Sequence, residues 1–425
     1  MEKTRKLYPI FGWLMLILAL VSGFLIKYYE DYSVFFLILL MAEIIIAIIF
    51  RKRIFDKYVI SVSRILLGLL FIYSGFVKAV DPIGTNYKII DYFIAYGTEW
   101  ANPLALYLSV FLNAFEFIVG GFLLLLSVKI RTVSWLVLLM MIFFTLTTVF
   151  DAVYNPVPDC GCFGEALILT NWQTFYKNLV INVFVIIVFF NRSSLKKAFT
   201  SRGEWAIIGI AVVMVVYFQV YNYRHLPLVD FRAWKVGNKM LNDDPRPMKY
   251  YLTYMNKETG EQKEFLSPDY PYDDSVWLSK WIFVNQRIED PNPKLHDLSI
   301  LDADGSDVTS QFIENPDFQF LLIAYDLTKV KKRLIPEINE FYKQCDNIGI
   351  SFIVLTSSTP EEIEQFKERV HPADFEYYFA DDIALESLVR ANPGLVLLKG
   401  AVVKGKWHHN DFPDFQECLD RFNAN

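Results

Sequence analysis

The chain has 425 residues, 54% of them hydrophobic, and a formal net charge of −6. Mean hydropathy is +0.28 although the pI is near 5.5. The charge is uneven: residues 1–221 carry 18 Lys/Arg against 13 Asp/Glu, and residues 222–425 carry 23 against 34. The first half therefore reads as membrane-embedded, and the second as a soluble acidic region large enough for its own core. An acidic surface argues against a nucleic-acid partner. "MEKTRK" precedes a long apolar run without a small-residue cleavage site, so no cleavable signal peptide is expected.

A helix crossing the hydrocarbon core needs about 20 apolar residues. Seven stretches meet or approach that length, near 8–26, 33–50, 62–80, 103–127, 132–150, 173–191 and 205–221. "MEKTRK", "RKRIFDK", "SVKIR" and "NRSSLKKAFTSR" alternate with loops poor in Lys/Arg: "KYYEDY", residues 81–101 and residues 151–172. The positive-inside bias then predicts a cytoplasmic amino terminus. Residues 151–172 and everything after Tyr221 fall outside, which in a bacterium is the periplasmic face of the inner membrane.

That orientation gives "PDCGCFGEAL", Pro158 to Leu167, its interest. Cys160 and Cys162 flank one glycine in a compartment where disulfides form and persist. A bond between residues two apart closes a very small ring in which ordinary disulfide torsions are hard to reach. It suits exchange better than stapling, since so short a loop constrains the unfolded chain little. Two free thiols in a tight turn are the alternative. No local Cys/His set completes a metal site.

Two stretches carry a family resemblance. "RILLGLLFIYSGFVKAVDPIGTNYKIIDYF" (Arg64 to Phe93) and "DCGCFGEALILTNWQTFYKNLVIN" (Asp159 to Asn182) closely resemble the membrane core of the DoxX and MauE families. The resemblance covers about 60–195 and implies a four-helix membrane bundle. It also implies a role in sulfur redox or protein maturation outside the membrane. MauE relatives are linked to maturation of a disulfide-rich enzyme subunit, and a DoxX relative to thiosulfate:quinone oxidoreduction. Residues 8–50 are additional to that core and could anchor or dock the protein.

Polar residues within the spans are expensive and warrant a role. Glu116 lies mid-segment with Asn113 one turn earlier; Lys78 lies near an outer end with Ser74 one turn below. A Glu116–Lys78 pair facing the interior could relay protons or meet a quinone headgroup; a structural clamp between helices is the competing reading. Glu43 has no evident partner. Asp81-Pro82 should end the third segment.

Beyond the last span, "MKYYLTYMNKETGEQKEFLS" reads as a β-hairpin and 268–298 as an irregular excursion. "DLSILDADGSDVTSQF" is expected to be strand, turn and strand. Buried strands at "DFQFLLIAYDL" and "GISFIVLTSS", helices at 329–346, 360–370 and 413–422, and strands flanking "ANPGLVLLKGAVVKGKW" predict an α/β layer. Residues 297–425 resemble the thioredoxin-like fold, with "LSILDADGSDV" similar to the opening strands of its TlpA-type branch. Where that branch carries its CxxC, this chain has "TKVKKRL", Thr328 to Leu334, without a cysteine. "NPGLVLLKGAVV" resembles the family's cis-proline strand. The resemblance implies a cis Pro393 and, with Asn392 and Gly394, an edge that holds an extended polypeptide.

Cys345 and Cys418 are expected to be buried and unpaired. "DADGSD" fails as a calcium loop beyond Asp302 and Asp304 and reads as a turn. His408 and His409, adjacent in a strand, should point to opposite faces and share no metal.

The predicted organisation is an amino-terminal membrane hairpin (1–59), a DoxX/MauE-like four-helix domain (60–200), and a last span with linker (201–225). A β-rich irregular region (226–296) and a thioredoxin-like domain (297–425) follow. Two functions fit it. One is an envelope thiol-disulfide oxidoreductase using Cys160 and Cys162, with a membrane quinone or other carrier taking the electrons. The other is a non-catalytic subunit of an envelope complex, whose aromatic-rich chain, with 37 Phe and 24 Tyr, offers contact anchors for a protein partner.

Overall fold

Long apolar runs fold as helices because hydrocarbon offers no partner for a free backbone N–H or C=O. In the computed structural model, which describes residues 2–28, 33–50, 55–242, 244, 246–289, 292, 295–371 and 373–423, such runs dominate the amino-terminal half. The stretches 29–32 and 51–54, which carry part of the predicted charge alternation, lie outside the described residues. The chain divides into two compact units, Met1–Arg232 and Ala233–Asn425.

The first unit begins with α1 (Glu2–Tyr28) and α2 (Ser33–Phe50). Their apolar portions, Ile10–Leu25 and Val34–Ile49, are shorter than a full span. Among the described residues five helices are long and apolar enough to cross a membrane. The first is α3 (Lys57–Val80), capped by Asp56, whose carboxylate accepts from the N–H groups of Tyr58 and Val59. It stops at Val80, as Asp81-Pro82 predicts. The loop expected over 81–101 is instead largely a helix, α4 (Pro82–Ala95). Asp81 accepts from Gly84 N–H at 2.9 Å and Pro82 occupies the first turn, so the same dipeptide that ends one helix starts the next.

The second span, Glu99–Leu123, is not one uniform helix as the apolar run 103–127 suggests. A 3-10 turn (Glu99–Leu104) leads into α5 (Ala105–Phe115), and a π-helical stretch follows over Glu116–Leu123. Glycines explain how this stretch meets α3. A Cβ on Gly75 would lie 2.6–2.9 Å from atoms of Phe117, including its backbone, and one on Gly121 would lie 2.7 Å from Ile72. Small residues thus let two backbones approach within the membrane region. The remaining spans are α6 (Ile130–Tyr154), α7 (Asn171–Phe190) and α8 (Ser201–Arg224). Helix α7 is the most enclosed of the five and packs on α1, α2, α3 and α6. Its start is set by a capping box between Thr170 and Gln173.

The second unit opens with the expected hairpin, β1 (Lys249–Asn256) and β2 (Gln262–Leu266). The region expected to be irregular then contributes a short helix, α9 (Ser275–Lys280), and a nine-residue strand, β3 (Trp281–Glu289). Asp274 caps α9, and β3 pairs antiparallel with β1 to complete the order β2-β1-β3. The Pro/Asp-rich lead-in masked that strand in the sequence. "DLSILDADGSDVTSQF" likewise departs from two strands. It makes isolated bridges at Leu301, a turn in which the Asp302 carboxylate accepts from Asp304 and Ser306 N–H, and the helix α10 (Thr309–Ile313).

A five-stranded sheet follows, built from β4 (Gln319–Ile323), β5 (Ser351–Thr356), β6 (Glu376–Phe379), β7 (Gly394–Lys399) and β8 (Val402–His408) in the order β6-β5-β4-β7-β8. Strands β4, β5 and β6 run parallel, while β7 is antiparallel to β4 and β8. Helices α11 (Ile335–Ile348), α12 (Pro360–Val370), α13 (Asp382–Leu388) and α14 (Phe415–Asn423) connect or follow these strands. Both α11 and α14 start a few residues later than expected. Phe320, Phe341, Phe352, Phe366 and Phe415 share one core in this mixed α/β layer.

Candidate functional site

The turn carrying Cys160 and Cys162 is held from three sides. Asp159 accepts from Gly161 N–H at 2.9 Å through one oxygen and from Lys88 Nζ at 2.7 Å through the other. Ser74 Oγ donates to the Cys162 carbonyl at 2.7 Å. Gly164 N–H donates to the Gly161 carbonyl at 3.0 Å. Gly161 has φ +63°, and a Cβ there would meet the Lys88 stem at 3.0 Å, so glycine answers both the backbone geometry and the crowding.

The thiols are half-buried, free, and hydrogen-bonded to each other. That bond from Cys160, helped by the charges of Lys177 and Lys78, holds the Cys162 thiol down to about 6 against the opposing effect of burial. The same bond and burial hold the Cys160 thiol well above its ordinary value. The two are one coupled unit with an acidic and a non-acidic member, so at neutral pH Cys162 carries the thiolate.

The four polar residues singled out within the spans do converge. Lys78 and Glu116 form an ion pair with side chains 11% and 5% exposed. Asn113 Nδ2 donates to the Lys78 carbonyl at 3.1 Å and to Thr85 Oγ1 at 3.3 Å. Ser74, on the same face of α3 as Lys78, reaches the thiol turn instead of Glu116. The helices thereby connect a buried ion pair to the backbone of Cys162. Glu43 is buried, and neither carboxylate oxygen has a hydrogen-bond partner among the described residues.

Sequence reasoning passed over three further participants. Lys88 was hidden in the stretch taken for a loop. Asp159 stands directly before Cys160, and nothing in the sequence assigns it a role. Lys177 sits two turns into α7, with Nζ 4.6 Å from the centre of the Phe163 ring and no carboxylate partner among the described residues. A fourth group, Tyr92, donates from its phenol to Asp151 Oδ2 at 2.7 Å; burial, followed by the nearby Cys160, raises its own ionisation far above the usual tyrosine range. The signal that could have found Lys88 and Tyr92 is the three- to four-residue spacing of Lys88, Asp91 and Tyr92 on a capped helix.

In the second unit the Asn392–Pro393 peptide is cis. Pro393 and Gly394 are buried, whereas Asn392 is half-buried and donates to the Asp326 carbonyl at 2.7 Å. The segment after β4 forms two 3-10 turns, Leu327–Lys329 and Lys332–Leu334, with no thiol. Cys345 and Cys418 are free and buried in the same core. The histidine pair departs from expectation: the His408 and His409 rings lie 4.0 Å apart instead of on opposite faces. Strand β8 ends at His408, whose Nδ1 accepts from Asn410 N–H, so alternation no longer applies to His409. No cluster of three or more metal-ligating side chains occurs among the described residues.

Fold and site together define a membrane-spanning protein with a CGC dithiol turn at the end of its helical bundle. Residues 56–191 match the family model described as methylamine utilisation protein MauE. No curated protein and no solved structure matches the chain.

Proposed function

We propose that this protein is an envelope thiol-disulfide exchanger serving protein maturation, with Cys160 and Cys162 as its redox pair on the outer face of the cytoplasmic membrane. The observation that carries the reading is the asymmetric, hydrogen-bonded dithiol with a Cys162 thiol near 6. In the oxidised protein a substrate thiolate attacks the Cys160–Cys162 bond at Cys160, and Cys162 leaves as the thiolate its surroundings favour. A second substrate thiolate then attacks the mixed disulfide. It releases Cys160, and a disulfide forms in the substrate. The substrate is oxidised by two electrons and the CGC pair is reduced. Ser74 holds the turn from α3, and the Glu116 carboxylate, paired with Lys78, is the proton-accepting group nearby. The second unit is a thioredoxin-like recognition module, supported by its strand order and the resemblance of "NPGLVLLKGAVV", with Asn392 to Gly394 at the partner-binding edge.

A redox titration of the full-length protein in detergent, with thiol alkylation read by mass spectrometry, tests this. A reversible two-electron couple at Cys160/Cys162, with Cys345 and Cys418 unchanged, is expected. Thiols that stay reduced under oxidised glutathione would overturn the proposal. The chain would then read as an accessory subunit, which the cysteine-free segment after β4 favours.

A further inference from the structure

An exchanger that oxidises its substrate must itself be reoxidised, and the first unit contains a place where that could occur. An apolar cleft of about 510 Å³ lies among α1, α3, α7 and the thiol turn. Leu20, Leu70 and Phe184 contribute to its walls, and Phe163, the residue after Cys162, lines it as well. Gln173, Tyr176 and Lys177 are the polar side chains at the cleft, and Lys177 is its one cation among the described residues. The Gln173 oxygen is taken by Thr170 N–H, and among the described residues the Lys177 ammonium meets the Phe163 ring and the charge of the thiol pair but no carboxylate.

Three features narrow the occupant. The walls belong to membrane-type helices, so the ligand dissolves in the bilayer. A cation without a carboxylate partner calls for an oxygen-bearing headgroup at one end of an apolar body. The neighbouring chemistry, conversion of a thiol–thiolate pair to a disulfide, releases two electrons and one proton. We propose that the cleft binds a quinone, with a ring carbonyl at Lys177 and its tail along Leu20, Leu70 and Phe184, and that this quinone reoxidises Cys160 and Cys162. One S–S bond forms between the Cys160 thiol and the Cys162 thiolate, the Cys160 S–H bond is lost, and the quinone takes two electrons, that proton and one from water to leave as the quinol. The site is lined from α7 and does not include Lys78 or Glu116, where the sequence suggested a headgroup. The inference rests on the exchange reading above.

The test uses reduced full-length protein in detergent and a short-tailed benzoquinone analogue. Loss of alkylatable Cys160/Cys162 and appearance of quinol are followed together. Val180→Trp fills the cleft and Lys177→Met removes its cation; each should slow oxidation about tenfold or more, the scale of a lost positioning contact. Leu146→Trp, a bulky change on the exposed face of α6, should leave the rate unchanged. Thermal unfolding of each variant separates a filled cleft from a misfolded bundle. Equal rates in folded Val180→Trp and wild type would overturn the site, as would a tightly held phospholipid that the quinone cannot displace. Wild-type protein that exchanges with oxidised glutathione but ignores the quinone overturns this inference alone. Protein inert to both overturns the exchange reading beneath it.

Discussion

Each unit of this protein holds two cysteines, and the pairs differ in almost every physical respect. In the membrane unit Cys160 and Cys162 sit in a polar turn beside Lys88, Lys78 and Lys177, and the Cys162 thiol falls to about 6. In the second unit Cys345 and Cys418 lie among phenylalanines, where burial pushes both thiols up to about 12. Reactivity therefore follows local charge and hydrogen bonding instead of residue type. A turn end that concentrates donors and cations makes a nucleophile, and an apolar core makes an inert filler.

The sharpest way to break this comparison is to measure thiol reactivity site by site. At pH 7 the ionised fractions implied by values near 6 and near 12 differ by more than about four orders of magnitude, and alkylation should follow. Ionisation rises with pH, so the Cys162 rate should increase through about pH 6 and plateau above it. Mass spectrometry after timed iodoacetamide quenches reads both pairs in one sample. Equal rates, or a Cys162 midpoint above pH 8, would remove the contrast.

A smaller effect is expected from the ion pair behind the turn. Replacing Lys78 by Met strands Glu116 in a buried setting, and such a loss typically costs about 3–5 kcal/mol. The thermal midpoint of the full-length protein should fall, and the Cys162 alkylation profile should move to higher pH because one stabilising cation is gone. A stable variant with an unchanged profile would make the pair a bystander.

The smallest effect belongs to the second unit. The folded-state values of Cys345 and Cys418 lie above the ordinary thiol value of about 8.5, so the folded form keeps protons that the unfolded form releases. Their contribution to stability is complete below about pH 8.5 and is lost as pH rises from there toward the folded values near 12. Hydrogen exchange in β4 and β5, corrected for its intrinsic pH dependence, should quicken between pH 7 and 9.5 in wild type. A Cys345→Ala/Cys418→Ala variant should show a flatter response.

Much of the architecture was legible because it depends on local composition. Of seven expected spans five are long enough among the described residues and the first two are shorter; Tyr/Leu-rich strands around "KETGE" mark the hairpin, and 360–370 is the helix the sequence predicts. The misses share a cause: signals with two meanings. Asp81-Pro82 both stops α3 and starts α4; a Pro/Asp-rich lead-in precedes β3, whose pairing with β1 is a long-range event; and His409 lies just past the strand whose alternation was assumed. For the site, "DCGC" put two thiols in one short turn, while the side chains that hold that turn come from 71 residues away, Lys88 on Asp159, and 88 residues away, Ser74 on the Cys162 carbonyl.

By itself the sequence determined that half the chain carries apolar runs of membrane-spanning length, that two thiols share a glycine turn, and that Thr328 to Leu334 holds no cysteine. These follow from hydropathy and from the identity of neighbours in the chain. Only the tertiary structure decided which thiol is acidic, that Glu116 and Lys78 meet, and that Lys177 stands without a carboxylate partner among the described residues beside an apolar cleft. Charge and hydrogen bonding act through space, and helix packing brings together groups that the chain keeps far apart.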